Sequence, residues 1–139
     1  MKIKEWVKNL SSTPYKKNIP VEYTAHLNEQ PIENIEIKSF GTHHETYELL
    51  RSFKTIQYET MYVFRNKRGY NTYLFNINFD IVVCDKYGKV LEAISNIKPG
   101  TISQHYSKGY YVFFMPVGTI GYLEIKKLDV ISIARKWLR

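Results

Sequence analysis

The chain has 139 residues, 44% of them hydrophobic, a single cysteine and a formal net charge of +7. That length and apolar content predict one domain with its own core and exclude a disordered chain. A lone Cys84 excludes an internal disulfide and any thiol-built metal framework, and points to a reducing, cytoplasmic setting. The charge is uneven: residues 1–20 hold five Lys against one Glu, residues 21–64 three Lys/Arg against seven Glu, and residues 65–139 twelve Lys/Arg against five acids. Such a balance suits a nucleic-acid surface or an ordinary basic exterior.

Met1 to Leu10 reads as a short helix, with Ile3, Trp6, Val7 and Leu10 on one face and Lys2, Lys4 and Lys8 away from it. Charges run through this start and leave no apolar core for a signal peptide. Residues 11–20 are Ser- and Pro-bearing loop. Val21 to Ala25 is a candidate strand, Glu29-Gln30-Pro31 a turn, and Ile32 to Phe40 a strand. Residues 1–30 are therefore an N-terminal extension, followed by a single sheet-rich domain over 31–139. Thr42 is placed to N-cap a helix with Glu45 as its capping-box partner, and Tyr47, Leu50 and Phe53 form its buried stripe.

From Tyr58 the pattern is β-rich. Tyr58 to Phe64 is a strand and Arg65 to Gly69 a turn. Residues 71–85 then alternate: Tyr73, Phe75, Ile77, Phe79, Ile81 and Val83 fall on one face, with Asn76, Asn78 and Asp80 in a row on the other. Side chains alternate across a strand, so this predicts one long strand. Asp85-Lys86-Tyr87-Gly88 is a tight turn, and Lys89 to Ile94 returns antiparallel. Lys98-Pro99-Gly100 breaks the chain. Tyr110 to Met115 is continuously apolar, as in a strand buried on both faces, and Pro116 stops it. Leu128 to Ile133 is the last strand, before a basic tail from Arg135 to Arg139. The longest apolar run, Tyr110 to Val117, is too short to cross a bilayer as a helix. The expected class is α+β, mostly β: a curled antiparallel or mixed sheet, barrel-like, with one or two short helices.

Several of these segments keep an ungapped order: Asn71-Thr72-Tyr73-Leu74-Phe75, Phe79-Asp80, Asp85-Lys86-Tyr87-Gly88, Ile97-Lys98-Pro99, Ile102-Ser103, Met115-Pro116-Val117-Gly118-Thr119 and Leu128-Asp129. In that order the chain resembles the bacterial and archaeal domain of unknown function 192, over about residues 35 to 133 and most strongly from 71 to 103. The resemblance implies a compact, sheet-rich, barrel-like domain of a small bacterial or archaeal protein. It brings no known activity. Asn71 stands where the family carries histidine.

The polar row supplies the first candidate site. If its face lined a groove, Thr72, Asn76, Asn78 and Asp80, with Lys98 and Ser103 from the next matched segment, could hydrogen-bond a small ligand or peptide. Asp80 could equally cap backbone amides, since carboxylates accept such bonds well. One carboxylate without a second acid or a histidine is no catalytic set, so no catalytic residue is assigned and a non-enzymatic binding or accessory domain is expected. His43 and His44 are adjacent and share no helix face, and Cys-x-x-Cys and His-x₃-His spacings are absent, so no metal and no cofactor are expected. Cys84 ends an apolar strand and reads as a core thiol. The alternative site is a nucleic-acid surface formed by Arg65, Lys67, Arg68, Tyr70 and Lys108. Tyr70, Tyr73, Tyr106, Tyr110 and Tyr111 are the candidate stacking platforms, although tyrosines on strands mostly fill cores.

Overall fold

The computed structural model describes residues 23–40, 49–55 and 59–135. The expected helix at Met1–Leu10, the loop after it, the Thr42–Glu45 helix start, Tyr47, Tyr58 and the tail beyond Arg135 lie outside these residues. In chain order the described elements are β1 (Tyr23–Leu27), β2 (Gln30–Pro31), β3 (Glu36–Phe40), β4 (Thr60–Arg65), β5 (Phe79–Cys84), β6 (Val90–Ile97), β7 (Tyr111–Met115), helix α1 (Thr119–Leu123) and β8 (Ile131–Arg135). A helical turn at residues 49–52 is the described part of the helix expected there. The fold is α+β and mostly β.

Among the described residues the strands form two sheets, ordered β3-β4-β7-β5-β6 and β2-β1-β8. The larger is mixed: β3 and β4 run parallel, and every other neighbouring pair runs antiparallel. Neither sheet closes. β3 and β6 remain edges rather than pairing with each other, which corrects the barrel-like expectation. The small sheet takes its first strands from residues 23–31, ahead of the boundary expected at residue 31, and its last from β8.

The alternation within each central strand explains why the large sheet is covered on both sides. Met61 and Val63, Val82 and Cys84, and Phe113 and Met115 face the small sheet and meet Ala25, Ile37, Val90, Ile120, Ile125 and Ile131. Tyr62 and Phe64, Phe79, Ile81 and Val83, and Val112 and Phe114 face the other way, onto Leu50, Tyr70, Phe75 and Ile97. On that second side Phe79 and Phe114 meet edge to face, with ring centroids 5.6 Å apart. Each fully buried side chain of this size contributes roughly 1.5–3 kcal/mol. As expected, β7 is apolar and buried; the sheet order places it at the centre, flanked by β4 and β5.

The expected single strand over 71–85 is corrected: only Phe79–Cys84 is strand. Asn71 Oδ1 accepts the Tyr73 N–H at 2.9 Å, and the Phe75 N–H donates to Thr72 O at 3.1 Å. This local turn puts Leu74 at φ 69°, so Tyr73 and Leu74 point outward while Phe75 turns in. Asparagine side chains offer the backbone such local alternatives to a sheet ladder. The Asp85–Gly88 turn is present as expected, with Gly88 at φ 88°. There a Cβ would lie 2.2 Å from Ile131 O, because the Ile131 N–H donates to Gly88 O at 2.8 Å.

Candidate functional site

Asp80 is 0% exposed and shares the face of Val82 and Cys84. Opposite it, β6 carries one residue too many: Phe79 pairs with Ile97 but Ile81 pairs with Ile94. This is a β-bulge, with Asn96 at φ 58°. Asp80 Oδ1 accepts the bulged Asn96 N–H at 2.8 Å, and Oδ2 accepts the Gly118 and Ile120 N–H groups, each at 3.0 Å. Gly118, at φ 104°, makes no side-chain cap bond of its own to α1. One buried carboxylate thus serves both the bulge and the start of the helix, which is the capping role.

The other members of the row are also occupied within the fold. Asn78 Nδ2 donates to Asn96 Oδ1 at 2.8 Å, and Asn76 Nδ2 to Arg51 O at 2.7 Å. Thr72 is buried; its hydroxyl faces Lys98 O at 2.9 Å and Thr101 O at 3.3 Å and accepts the Thr101 N–H at 2.8 Å. Thr72 therefore anchors the 98–101 turn, and the exposed Lys98 lends that turn its carbonyl. Thr72, Asn76, Asn78 and Asp80 do not converge on one groove.

A different convergence appears where two loops meet. The Lys67 N–H donates to Tyr110 O at 3.0 Å, the Tyr106 N–H to Arg68 O at 2.8 Å and the Ser103 N–H to Tyr70 O at 2.9 Å, and Asn71 bridges to Ile102. Segments 66–72 and 101–110 are thereby stitched side by side. Between them lies an open, shallow cleft of about 300 Å³, lined by Arg68, Gly69, Tyr70, Asn71, Ser103, Gln104 and His105, with no carboxylate. Ser103 Oγ accepts the Tyr70 N–H at 2.9 Å, and a Cβ at Gly69 would come within 2.5 Å of that oxygen. Beside the cleft Tyr73 is 59% exposed, Leu74 61% and Ile102 71%.

Of the expected nucleic-acid residues, Arg68 and Tyr70 line this cleft. Lys108 is exposed next to Gly109, which packs on Arg68 Cα. Lys67 is half-buried, and burial lowers its ammonium pKa. Arg65 lies on the opposite sheet face beside Tyr111, whose pKa it opposes raising. Tyr70, at 7% exposed, is core rather than platform, and burial followed by the Glu92 charge raises its pKa. Tyr106 is half-buried and donates its hydroxyl to Glu92 Oε1; burial, then that bond, push its pKa up to about 12. Tyr110 and Tyr111 are half-buried and stack edge to face on each other. Among the five candidate tyrosines Tyr73 alone presents an open ring. Asn71, Gln104 and His105 were not among the candidate site residues, because they join the cleft through pairings about thirty residues apart.

Cys84 is buried, and burial followed by the Asp85 charge pushes its thiol pKa up, which disfavours the nucleophilic thiolate. Among the described residues no three His, Cys, Asp or Glu side chains are grouped to hold a metal ion, and no helix is long and apolar enough to cross a membrane.

No protein-family model matches the chain, and no curated protein matches it by sequence. Solved structures do share the fold. A protein of unknown function from Novosphingobium aromaticivorans superposes with a TM-score of 0.65 at 16% identity, covering 88% of this chain and 91% of that one. A putative transcription regulator from Sinorhizobium meliloti superposes with a TM-score of 0.65 at 11% identity, covering 88% of this chain and 97% of that one.

Proposed function

We propose that this chain is a non-enzymatic binding domain whose ligand is single-stranded nucleic acid, held at the junction of segments 66–74 and 98–108. The observation that carries the reading is the surface itself: a cleft free of carboxylates, with Arg68 and His105 in its lining, Lys98 and Lys108 exposed nearby, and the open ring of Tyr73 beside it. Cations that follow a phosphate backbone next to an aromatic face are what single strands require, since any base can stack on such a ring. The fold shared with a putative transcription regulator is in keeping with this reading. The groove reading centred on Asp80 has less support, because every oxygen of that carboxylate already meets a backbone N–H.

The test is fluorescence anisotropy with labelled single-stranded DNA and RNA over a range of salt. Three or four phosphate contacts give a log–log salt slope of about −2 to −3, because each releases condensed counterion. The absence of saturable binding to either probe at low salt ends the proposal.

A further inference from the structure

The opposite end of β4 carries the opposite charge. The six residues Thr60–Arg65 span roughly 17 Å at strand rise. The basic turn follows Arg65; at the Thr60 end opens a cleft of about 630 Å³ whose lining includes Glu33, Ile35, Glu59, Met61, Val117 and Tyr122. A second cleft of about 550 Å³ shares Glu33, Asn34 and Tyr122 with the first and adds Glu124, Asp129 and a single cation, Lys126. The two meet around Tyr122, which is 82% exposed at their junction.

Four carboxylates therefore line the trough formed by the two clefts, against one ammonium. Asp129 Oδ2 accepts the Lys126 N–H and is the one committed locally. Glu33 and Glu59 are exposed and make no side-chain hydrogen bond or ion pair with the described residues. The apolar lining is substantial: Ile35, Met61 and Val117 in the first cleft, Leu27, Ile32 and Leu123 in the second. Each volume lies within the range of small-molecule pockets, and the two adjoin through Glu33, Asn34 and Tyr122. Their adjacency, sign and apolar content match a chain that alternates positive and apolar side chains.

We propose that this trough is a docking site for a cationic, apolar-bearing peptide segment of a partner protein. Glu33 and Glu59 meet the Lys or Arg side chains, and Tyr122 covers a cation or an apolar side chain with its ring. This goes beyond the nucleic-acid reading and does not depend on it, since the two surfaces share no residue. The domain would then bring a basic partner segment and a nucleic acid to opposite ends of one strand.

The experiment is a titration of the full chain with a dye-labelled peptide that alternates lysine with leucine, beside its glutamate counterpart and spermine. Saturable binding of the lysine peptide alone is expected. The double variant Glu33→Gln/Glu59→Gln should weaken it about tenfold, from roughly 0.7 kcal/mol for each rim carboxylate. Tyr122→Ala should weaken it several-fold. All three substituted residues are exposed, and a melting curve checks that each variant is folded. Oligonucleotide affinity measured on the same variants should be unchanged, which separates this site from the basic cleft. The proposal is overturned if the lysine peptide does not saturate at low salt. It is also overturned if the folded double variant binds as well as the parent, or if spermine competes as strongly as the peptide.

Discussion

Two polar regions of this molecule are built from similar side chains and put them to opposite uses. At Asp80 both carboxylate oxygens point inward, and together they meet three backbone N–H groups that irregular geometry would otherwise leave unpaired. Around the Arg68–Ser103 cleft the stitching is done by backbone bonds, so the side chains of Arg68, Gln104 and His105 line an open surface. A buried N–H without a partner costs about 1–3 kcal/mol, so a carboxylate in the interior is drawn into such repairs. Binding chemistry is left to the loops, which the sheet holds in place.

The sharpest way to break this contrast is Asp80→Ala. It strands one N–H at the β6 bulge and two at the start of α1, and we expect a loss of about 3–5 kcal/mol in urea unfolding, in the range for breaking a buried charged network. A variant of parental stability would remove Asp80 from its capping role. Gly88→Ala comes next: a positive φ and a backbone oxygen in the way of the new Cβ should cost about 2–4 kcal/mol by the same assay. Thr72→Val keeps the shape and removes the hydroxyl, leaving the Thr101 N–H without its acceptor; about 1–2 kcal/mol should be lost.

On the open side the signs reverse. Tyr73→Ala and Arg68→Ala should each leave the unfolding free energy within about 0.5 kcal/mol, the usual range for exposed positions. Tyr73→Ala should nevertheless weaken oligonucleotide binding by about 1–3 kcal/mol, the worth of one stacked base. The smallest effect is alkaline. The folded Tyr106 pKa, about 12, lies above its ordinary value near 10, so the folded state favours the neutral phenol. Its contribution is whole below about pH 10 and is lost as pH rises toward 12. Tyr106→Phe should flatten part of the stability decline across that window; the buried Tyr62 and Tyr70, raised in the same direction, retain the rest.

The sheet was legible wherever the pattern was carried by core-facing residues. Tyr111–Met115 at the centre, the Asp85–Gly88 turn and the antiparallel return of β6 all follow from apolar runs and a glycine that must take a positive φ. The reading failed where polar side chains compete with the ladder. The alternation from Tyr73 to Phe79 continues through a turn, because Phe75 and Phe79 reach the same core by different routes, one from a loop and one from a strand. Helix α1 was missed because Gly118-Thr119-Ile120-Gly121 has no local cap; its cap is Asp80, some forty residues earlier in the chain. The cleft was half-legible: Arg68, Tyr70 and Ser103 were singled out, in two different candidate sites. Their union depends on the pairing of Asn71 with Ile102, which no local pattern encodes.

The Asp80 clasp also bears on how the chain reaches this structure. Its Asn96 donor lies 16 residues away across the β5–β6 hairpin, but the Gly118 and Ile120 donors lie 38 and 40 residues away, so the hairpin alone completes one of the three bonds. The loop entropy of all three closures must be met before the carboxylate is fully satisfied. The helix side of the clasp should therefore close after the transition state: Asp80→Asn should slow folding less than it speeds unfolding, a φ-value well below one half. Asp80 then acts as a latch closed last, one that sets how long the native state endures rather than how quickly it is found.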